Sequence, residues 1–147
     1  MTIIHHELTV PYTAAQMFAL VKNVNNYAQF LPHCETSQIL GQSKDAFRAR
    51  LILVKGLMKK TFIIDYYLQG DQSIELRLRD KAFKYVKGHW HFEPLSQGSK
   101  LTWHLEYEFA NPITAMAYNT LFEQVTNTLV QTFYKQAAVI YGQSAPS

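Results

Sequence analysis

The stretch Leu101-Thr102-Trp103-His104-Leu105-Glu106-Tyr107-Glu108-Phe109-Ala110-Asn111-Pro112 decides the fold, because its periodicity changes within a few residues. Up to Phe109, apolar and polar side chains alternate, which is typical of a strand with one buried and one solvated face. Asn111 is a favourable helix N-cap, and Pro112 suits the first helical position. The chain therefore passes here from the last strand of an antiparallel sheet into a helix.

The segment after Pro112 predicts one long amphipathic helix. Its apolar residues recur at spacings of three and four, over about 30 residues or roughly 45 Å if the helix is continuous. They are Ile113, Met116, Ala117, Leu121, Val125, Leu129, Phe133, Ala137 and Ile140. Gly142 is a favourable stop, and we expect residues 142–147 to fray. An apolar stripe must lie on another apolar surface, which the sheet provides.

Similar alternation upstream predicts the rest of the sheet. Strands are expected at Thr2–Val10, around Phe47–Leu53, at the inner strand Phe62–Leu68, and around Ile74–Leu78 and Val86–Phe92. Turn signals between them lie at Gly41–Asp45, Gly70–Ser73 and Ser96–Ser99,. These strands predict an antiparallel sheet with one face on the core and one face in contact with solvent.

Two short helices are expected after the first strand. Thr13 and Gln16 have the spacing of a capping box,, and a second helical piece is expected from Asn26 to Phe30, ended by Pro32. The order of one strand, two short helices, further strands and a long helix is that of the helix-grip fold. We therefore expect a single α+β domain, residues 1–147, with a curved antiparallel sheet of about seven strands over an apolar cavity.

Four motifs connect this chain to a known superfamily. They are Tyr27, Phe30, Leu31, Pro32 and Cys34; Lys60-Thr61-Phe62; Gly88, Trp90, Phe92 and Pro94; and Glu108-Phe109 before the last helix. In this order the chain, from Ile4 to Tyr141, resembles the START-like (Bet v 1-like) superfamily of polyketide cyclases and lipid-transport proteins. More narrowly, it is similar to the branch of coenzyme Q-binding proteins and ribosome association toxins (RatA), in which Pro often replaces Ala28.

A cavity between the sheet and the last helix is the leading candidate site. Its expected lining is Phe30, Leu31, Phe47, Leu51, Phe62, Tyr66, Leu76, Trp90, Trp103, Leu121, Val125 and Leu129. A curved sheet and a straight helix leave a gap that side chains fill only partly, and Gly88 removes bulk beside Trp90. The alternative is a solid core of ordinary density.

The resemblance implies an apolar isoprenoid or lipid ligand, most specifically ubiquinone, bound by a non-catalytic carrier or chaperone in cellular respiration. A quinone ring can stack on Trp or Tyr, and each buried CH2 of its tail contributes about 0.8 kcal/mol. No cofactor is required for this role. A hairpin at Val54–Lys60 carries Leu57 and Met58 among three lysines, which predicts a membrane contact or gate; a plain exposed hairpin is the alternative.

The resemblance to toxins that associate with the large ribosomal subunit and inhibit translation initiation implies a second function. Five basic residues near one hairpin are candidate RNA contacts: Arg77, Arg79, Lys81, Lys84 and Lys87,. Interleaved acidic residues such as Asp80 weaken this patch, so a solvated sheet face is the alternative. The same resemblance would imply an antitoxin as a protein partner. DNA binding is not expected.

A polyketide cyclase or dehydratase is the third alternative, but the sequence offers no recognised catalytic pattern. Asp65 and Tyr66 are the best placed groups, with Glu106 and His104 behind them, and strand alternation lets only one of Asp65 and Tyr66 face a ligand. His89 and His91 share a polar face without a recognised metal-ligand pattern. We expect no catalytic residue and no metal.

Composition sets the remaining bounds. The net charge of +3 permits contact with RNA or anionic lipid without requiring it,. Cys34 is the single cysteine, which excludes an internal disulfide and fits a packing role in a reducing compartment,. The longest aliphatic run, Leu51–Val54, is far too short to span a bilayer, and no signal-peptide pattern opens the chain. We expect a cytoplasmic protein, with peripheral contact at the inner membrane face as an option.

Overall fold

The structure is a computed structural model that describes residues 1–142, so the fraying expected at 143–147 lies outside the described residues. Its strands are β1 (Thr2–Val10), β2 (Cys34–Gln42), β3 (Ala46–Lys55), β4 (Met58–Gln69), β5 (Ser73–Leu78), β6 (Phe83–Pro94) and β7 (Ser99–Phe109). Its helices are α1 (Ala14–Lys22), a 3-10 helix (Val24–Gln29), α2 (Pro112–Asn127) and α3 (Leu129–Tyr141).

The strands form one antiparallel sheet in the order β1-β7-β6-β5-β4-β3-β2. Side chains of the inner face point to the helices, and one row of cross-strand partners there is Leu105, Gly88, Leu76, Tyr66 and Phe47. The neighbouring row, one residue away on each strand, lies on the outer face and is Glu106, Lys87, Arg77, Asp65 and Arg48. The predicted helix-grip arrangement is confirmed.

The segment between β1 and β2 anchors one end of the sheet. The predicted capping box is present: the Gln16 amide donates to Thr13 Oγ1 at 3.0 Å, and the Thr13 amide donates to Gln16 Oε1 at 2.9 Å. The second piece is a 3-10 helix at Val24–Gln29 rather than a helix at Asn26–Phe30. Its Tyr27 packs against Phe133 of α3, with ring centroids 5.4 Å apart.

The prediction of one continuous helix is wrong. The helix is interrupted at Thr128 and continues as α3. The Thr126 hydroxyl donates to the Phe122 carbonyl and the Thr128 hydroxyl to the Gln124 carbonyl, each at 2.8 Å. Threonine hydroxyls that bond back to carbonyls four residues earlier often bend helices. The C-terminal end was predicted correctly, because Gly142 is the C-cap with φ of 83°.

The start of the predicted stripe is also wrong, because Ile113, Met116 and Ala117 are exposed. Successive steps of four residues drift by about 40° around a helix of 3.6 residues per turn, so early and late members of the series face different directions. Leu121 and Val125 of the stripe face the core as predicted, and so does Phe122, which the stripe did not include. Ile140, at the other end of the stripe, is exposed as well.

Candidate ligand-binding site

An unfilled apolar cavity of about 90 Å³ lies between the inner face of the sheet and the α2–α3 segment. Its wall is formed by Tyr27, Leu31, Leu51, Leu53, Phe62, Ile64, Tyr66, Leu76, Leu78, Val86, Trp90, Trp103, Leu105, Phe122, Val125, Thr126, Leu129 and Phe133. An engineered cavity of about 150 Å³ takes up benzene. The cavity is therefore a real void, but a ring-sized ligand requires neighbouring side chains to move.

Most of the residues expected at the cavity lie in its wall. They are Leu31, Leu51, Phe62, Tyr66, Leu76, Trp90, Trp103, Val125 and Leu129. The structure places three others outside the wall. Phe30 packs behind it on Phe133, with centroids 5.6 Å apart. Phe47 stacks on the far side of Tyr66, and Leu121 is buried in the core beside the wall.

The sequence reasoning missed half of the wall. The additional residues are Tyr27, Leu53, Ile64, Leu78, Val86, Leu105, Phe122, Thr126 and Phe133. Leu105 and Val86 could have been found, because they alternate onto the same faces as Trp103 and Trp90. Phe122 was hidden by the drift of the helical stripe, and Tyr27 reaches the wall only through the packing of the 3-10 helix.

Gly88 determines where the large rings lie. An added Cβ at Gly88 would meet Trp103 Cη2 at 2.9 Å and Cζ3 at 3.2 Å, so the indole of Trp103 fills the space that a side chain would take. Trp103 in turn stacks on Trp90 with centroids 4.7 Å apart. The space expected beside Trp90 is thus largely occupied by the second tryptophan, which explains why the cavity is small.

Three of the five polar side-chain groups of the wall are hydrogen-bonded within residues 1–142; the Tyr66 hydroxyl and Trp90 Nε1 are not. Trp103 Nε1 donates to the Thr126 carbonyl at 3.0 Å, and the Tyr27 hydroxyl donates to the Val21 carbonyl. Burial raises the pKa of both Tyr27 and Tyr66, with smaller contributions from neighbouring Tyr and Cys groups. Both phenols therefore stay protonated at neutral pH, and these uncharged groups are the titratable side chains of the wall.

The other candidate chemical groups lie outside the cavity. Asp65 is on the outer face, where Arg48 Nε donates to its carboxylate at 2.7 Å; this hydrogen bond lowers the pKa of Asp65. His104 and Glu106 are also on the outer face, hydrogen-bonded to each other at 2.9 Å. The wall residues of the described chain therefore include no carboxylate or imidazole that could act as an acid or base on a ligand in the cavity, as a cyclase would require.

The remaining histidine and cysteine candidates are also placed by the structure. The rings of His89 and His91 stack with centroids 6.3 Å apart, but within residues 1–142 no three His, Cys, Asp or Glu side chains are grouped to hold a metal ion. Cys34 is buried, and burial raises the pKa of its thiol to about 11. A thiol with that pKa is a poor nucleophile near neutral pH.

The two apolar residues at the turn of the β3–β4 hairpin differ in their exposure to solvent. Leu57 is completely exposed at the turn, whereas Met58 is half-buried and packs on the core. Neither residue lines the cavity. Lys55 ties the hairpin to α2, because its ammonium group donates to Gln124 Oε1.

The basic hairpin forms an open groove of about 330 Å³ that includes Arg77, Arg79, Lys84 and Lys87. Two of its charges are already engaged, because Arg77 lies 3.4 Å from Glu75 and Lys84 lies 2.8 Å from Glu108. Within residues 1–142, Arg79, Lys81 and Lys87 make no ion pair. Lys81 lies beside the groove on the β5–β6 connection.

The antiparallel sheet, the helices packed on its inner face and the apolar cavity between them define a protein of the helix-grip class. The model of the polyketide cyclase/dehydrase and lipid transport family matches residues 10–134. The chain therefore belongs to that family. Among the described residues, no helix is long and apolar enough to cross a membrane.

Individual relatives fall into several functional groups. The chain is 38% identical over 133 residues to the ribosome association toxin RatA of Escherichia coli K12, covering 90% of this chain and 84% of that protein. It is 26% identical over 136 residues to the mitochondrial coenzyme Q-binding protein coq10 of Schizosaccharomyces pombe, covering 88% and 83%. The Zhui aromatase/cyclase from Streptomyces sp. R1128 has the same fold, with a TM-score of 0.82, 14% identity and coverage of 98% and 99%.

Proposed function

We propose that this protein binds an apolar isoprenoid or lipid, with ubiquinone as the leading candidate, as a carrier or chaperone that makes no bonds. The observation that carries the proposal is the unfilled apolar cavity. At about 24 cal/mol per Å³, a void of about 90 Å³ costs roughly 2 kcal/mol of stability,. A ligand that fills it recovers this free energy, and the relative named as a coenzyme Q-binding protein indicates the kind of ligand.

The route into the cavity is proposed to lie at the break between α2 and α3. Leu129 follows the break, lines the cavity and is only half-buried. Thr128 lies in an open outer groove that also includes Pro32 and His33. Leu31, which precedes Pro32 in the chain, lines the cavity. Movement of the helix at this break would open the wall between Leu31 and Leu129, and would also make room for a ring.

The direct test is to purify the protein from a quinone-producing host, extract it with organic solvent and identify the extract by mass spectrometry. We expect a quinone or another isoprenoid lipid at close to one molecule per chain in the wild type. Trp90→Ala should reduce that amount several-fold, because it removes the ring on which a quinone would stack. His89→Ala, at the adjacent residue on the outer face, is the matched control and should retain the ligand. A wild-type extract without any quinone or lipid would contradict the proposal.

A peripheral membrane contact through the β3–β4 hairpin is part of the same proposal. Leu57 is fully exposed between Lys55 and Lys59, which is a suitable arrangement for an anionic lipid surface,. Sedimentation with vesicles of phosphatidylcholine and phosphatidylglycerol should recover the wild type, and Leu57→Asp should lower the bound fraction several-fold. Equal binding of both proteins would remove the hairpin from the proposal.

Ribosome association is the second candidate function, and the basic groove at the β5–β6 hairpin favours it together with the relatives named as ribosome association toxins. Under this candidate the protein binds the large subunit and inhibits translation initiation. The proposed contacts with the RNA backbone are the three basic groups of the hairpin that make no ion pair within residues 1–142: Arg79, Lys81 and Lys87,. Each neutralised phosphate strengthens the dependence on salt, so binding should weaken steeply between low and moderate salt.

Sedimentation with ribosomes in vitro tests the groove. Replacing Arg79, Lys81 and Lys87 together by Glu should abolish binding at moderate salt. The matched control replaces Lys22, Lys44 and Lys135 by Glu, because this gives the same net charge with substitutions outside the groove. Equal loss in both triple variants would indicate non-specific attraction only. Trp90→Ala should leave ribosome binding intact, which separates this function from ligand binding.

A further inference from the structure

The Tyr66 hydroxyl is one of two polar side-chain groups of the cavity wall that have no hydrogen-bond partner in residues 1–142, and Trp90 Nε1 is the other. The Tyr27 hydroxyl, Trp103 Nε1 and the Thr126 hydroxyl each donate to a backbone carbonyl. The Tyr66 hydroxyl makes no hydrogen bond to any group in residues 1–142. Tyr66 is only 2% exposed, so its hydroxyl has little contact with bulk water and has no protein partner in residues 1–142.

The position of this hydroxyl is well defined. The ring of Tyr66 stacks on Phe47 with centroids 4.5 Å apart and an interplanar angle of 13°, which limits its rotation. The side-chain polar atoms in the described residues that are completely enclosed without a hydrogen-bond partner are Arg50 Nε and the Tyr107 hydroxyl. The Tyr66 oxygen is not enclosed in this way, so it borders open space. Tyr66 lines the cavity and also an open groove beside Phe47 and Arg48. After burial, the charge of the buried Cys34 is the contribution that raises the pKa of the Tyr66 phenol. The hydroxyl therefore lies on the inner side, and we assign the open space beside it to the cavity.

We propose that the Tyr66 hydroxyl is the hydrogen-bond donor with which the cavity recognises its ligand, and that it selects neutral ring ligands with a carbonyl oxygen. A buried hydroxyl without a partner destabilises the protein, and an acceptor atom on a ligand removes that cost. The phenol stays protonated, because burial raises its pKa, so it donates. This inference rests on the proposed ligand-binding function and specifies the chemistry of the ligand.

The surroundings of Tyr66 exclude other polar ligands. The wall residues include no Lys, Arg or His, so a carboxylate brought into the cavity would lose its hydration without gaining a counter-charge. Fatty acids are therefore expected to bind poorly. A plain hydrocarbon would fit the apolar surface but leave the Tyr66 hydroxyl unpaired. A quinone satisfies both requirements, because its ring is apolar and uncharged and its oxygens accept hydrogen bonds.

The test uses two probes of the same shape: 2,3-dimethyl-1,4-naphthoquinone and 2,3-dimethylnaphthalene. The methyl groups block addition of a thiol to the quinone ring. Equilibrium dialysis gives the dissociation constant of each probe, and the ratio of the two constants isolates the contribution of the carbonyl oxygens. The wild type should prefer the quinone about tenfold, the effect of one buried hydrogen bond. Tyr66→Phe should lower the ratio several-fold while leaving binding of the hydrocarbon unchanged; Trp90 Nε1, the other unpaired donor among the described wall residues, remains in this variant.

Tyr107→Phe is the matched control, because Tyr107 is also a buried tyrosine and lies outside the cavity wall. It should keep the preference of the wild type. An unchanged preference in Tyr66→Phe would overturn this inference but leave the proposed function standing. If neither probe bound to the wild type, both the inference and the ligand-binding function would be overturned.

Discussion

The two faces of the sheet carry opposite chemistry on the same strands. On the inner face, the row Leu105, Gly88, Leu76, Tyr66 and Phe47 has no charged side chain. On the outer face, one residue away, the row Glu106, Lys87, Arg77, Asp65 and Arg48 is charged throughout. The difference follows from the period of two along each strand.

This difference separates the two candidate functions in space. An apolar ligand would contact only the inner face, whereas RNA or a protein partner would contact the outer face and the basic hairpin. Adjacent residues on one strand therefore provide paired variants, one for each function. The effects should also differ in size, because inner residues contribute packing free energy and outer residues contribute weak, screened electrostatics.

The largest expected effect is at Trp103, compared with its neighbour His104. Trp103 is almost completely buried, fills the space over Gly88 and donates a hydrogen bond to α2. Trp103→Ala should lower the free energy of unfolding by about 3–5 kcal/mol. His104→Ala, on the outer face, should lower it by less than about 1 kcal/mol. Urea denaturation followed by circular dichroism measures both. Equal losses at the two positions would contradict the assignment of the faces.

The next effect concerns Gly88, compared with Gly41. Because a Cβ at Gly88 would approach the Trp103 ring to 2.9 Å, Gly88→Ala should cost about 1–3 kcal/mol and push the indole toward the cavity. At Gly41, which is also in a strand, an added Cβ meets no atom within 4 Å. Gly41→Ala should therefore be neutral or slightly stabilising.

Gly88→Ala also tests the ligand site, because the displaced Trp103 ring would occupy part of the void. The amount of extracted ligand should fall in Gly88→Ala and stay constant in Gly41→Ala. A Gly88→Ala protein with unchanged stability and unchanged ligand would show that the indole can move freely. The close packing of Trp103 against Gly88 would then have no functional role.

The comparison also shows how far the sequence determines the site. Alternation alone assigned Trp90 and Trp103 to the inner face and Arg77 and Lys87 to the outer face, because strand geometry leaves no other choice once one face is buried. For Asp65 and Tyr66 it predicted only that they face opposite sides. It also identified Gly88 as a position without bulk. Local periodicity thus predicts which residues are available to a cavity.

The size of the cavity and the path of the helix could not be obtained in this way. The void is small because the Trp103 indole folds over Gly88, which depends on a rotamer chosen by tertiary packing. The break at Thr128 depends on hydroxyl-to-carbonyl bonds inside the helix, and the apolar repeat continues across it without a signal. The unpaired hydroxyl of Tyr66 is a three-dimensional property, since it requires knowledge of every possible partner.

A smaller effect is expected from the pH dependence of the outer face. Burial lowers the pKa of His89 below 6.5; nearby His91 and His104 add to this shift, and Glu75 opposes it. The unfolded chain therefore holds the proton more tightly than the folded chain, so the free energy of unfolding falls as pH drops through the range below 6.5,. Urea midpoints measured from about pH 7 to about pH 5 should show this fall, and His89→Gln should reduce it. An equal fall in the wild type and in His89→Gln would contradict this account of the pH dependence.

The smallest effect should come from the Arg48–Asp65 pair, which is the outer-face counterpart of the Phe47–Tyr66 stack one residue away. The hydrogen bond from Arg48 lowers the pKa of Asp65 below 3.8, so the stabilisation is complete above that pH and is lost as pH falls through the folded-state pKa. Arg48→Gln should therefore lower the thermal midpoint by about 2 °C or less near neutral pH, and the difference from the wild type should vanish near pH ~2.

Lys44→Gln, which removes an exposed charge without an ion pair in residues 1–142, should shift the midpoint less at neutral pH. Because Arg48 is largely exposed, high salt should reduce the effect; a difference that persisted in acid or in salt would indicate that Arg48 stabilises the sheet by packing instead.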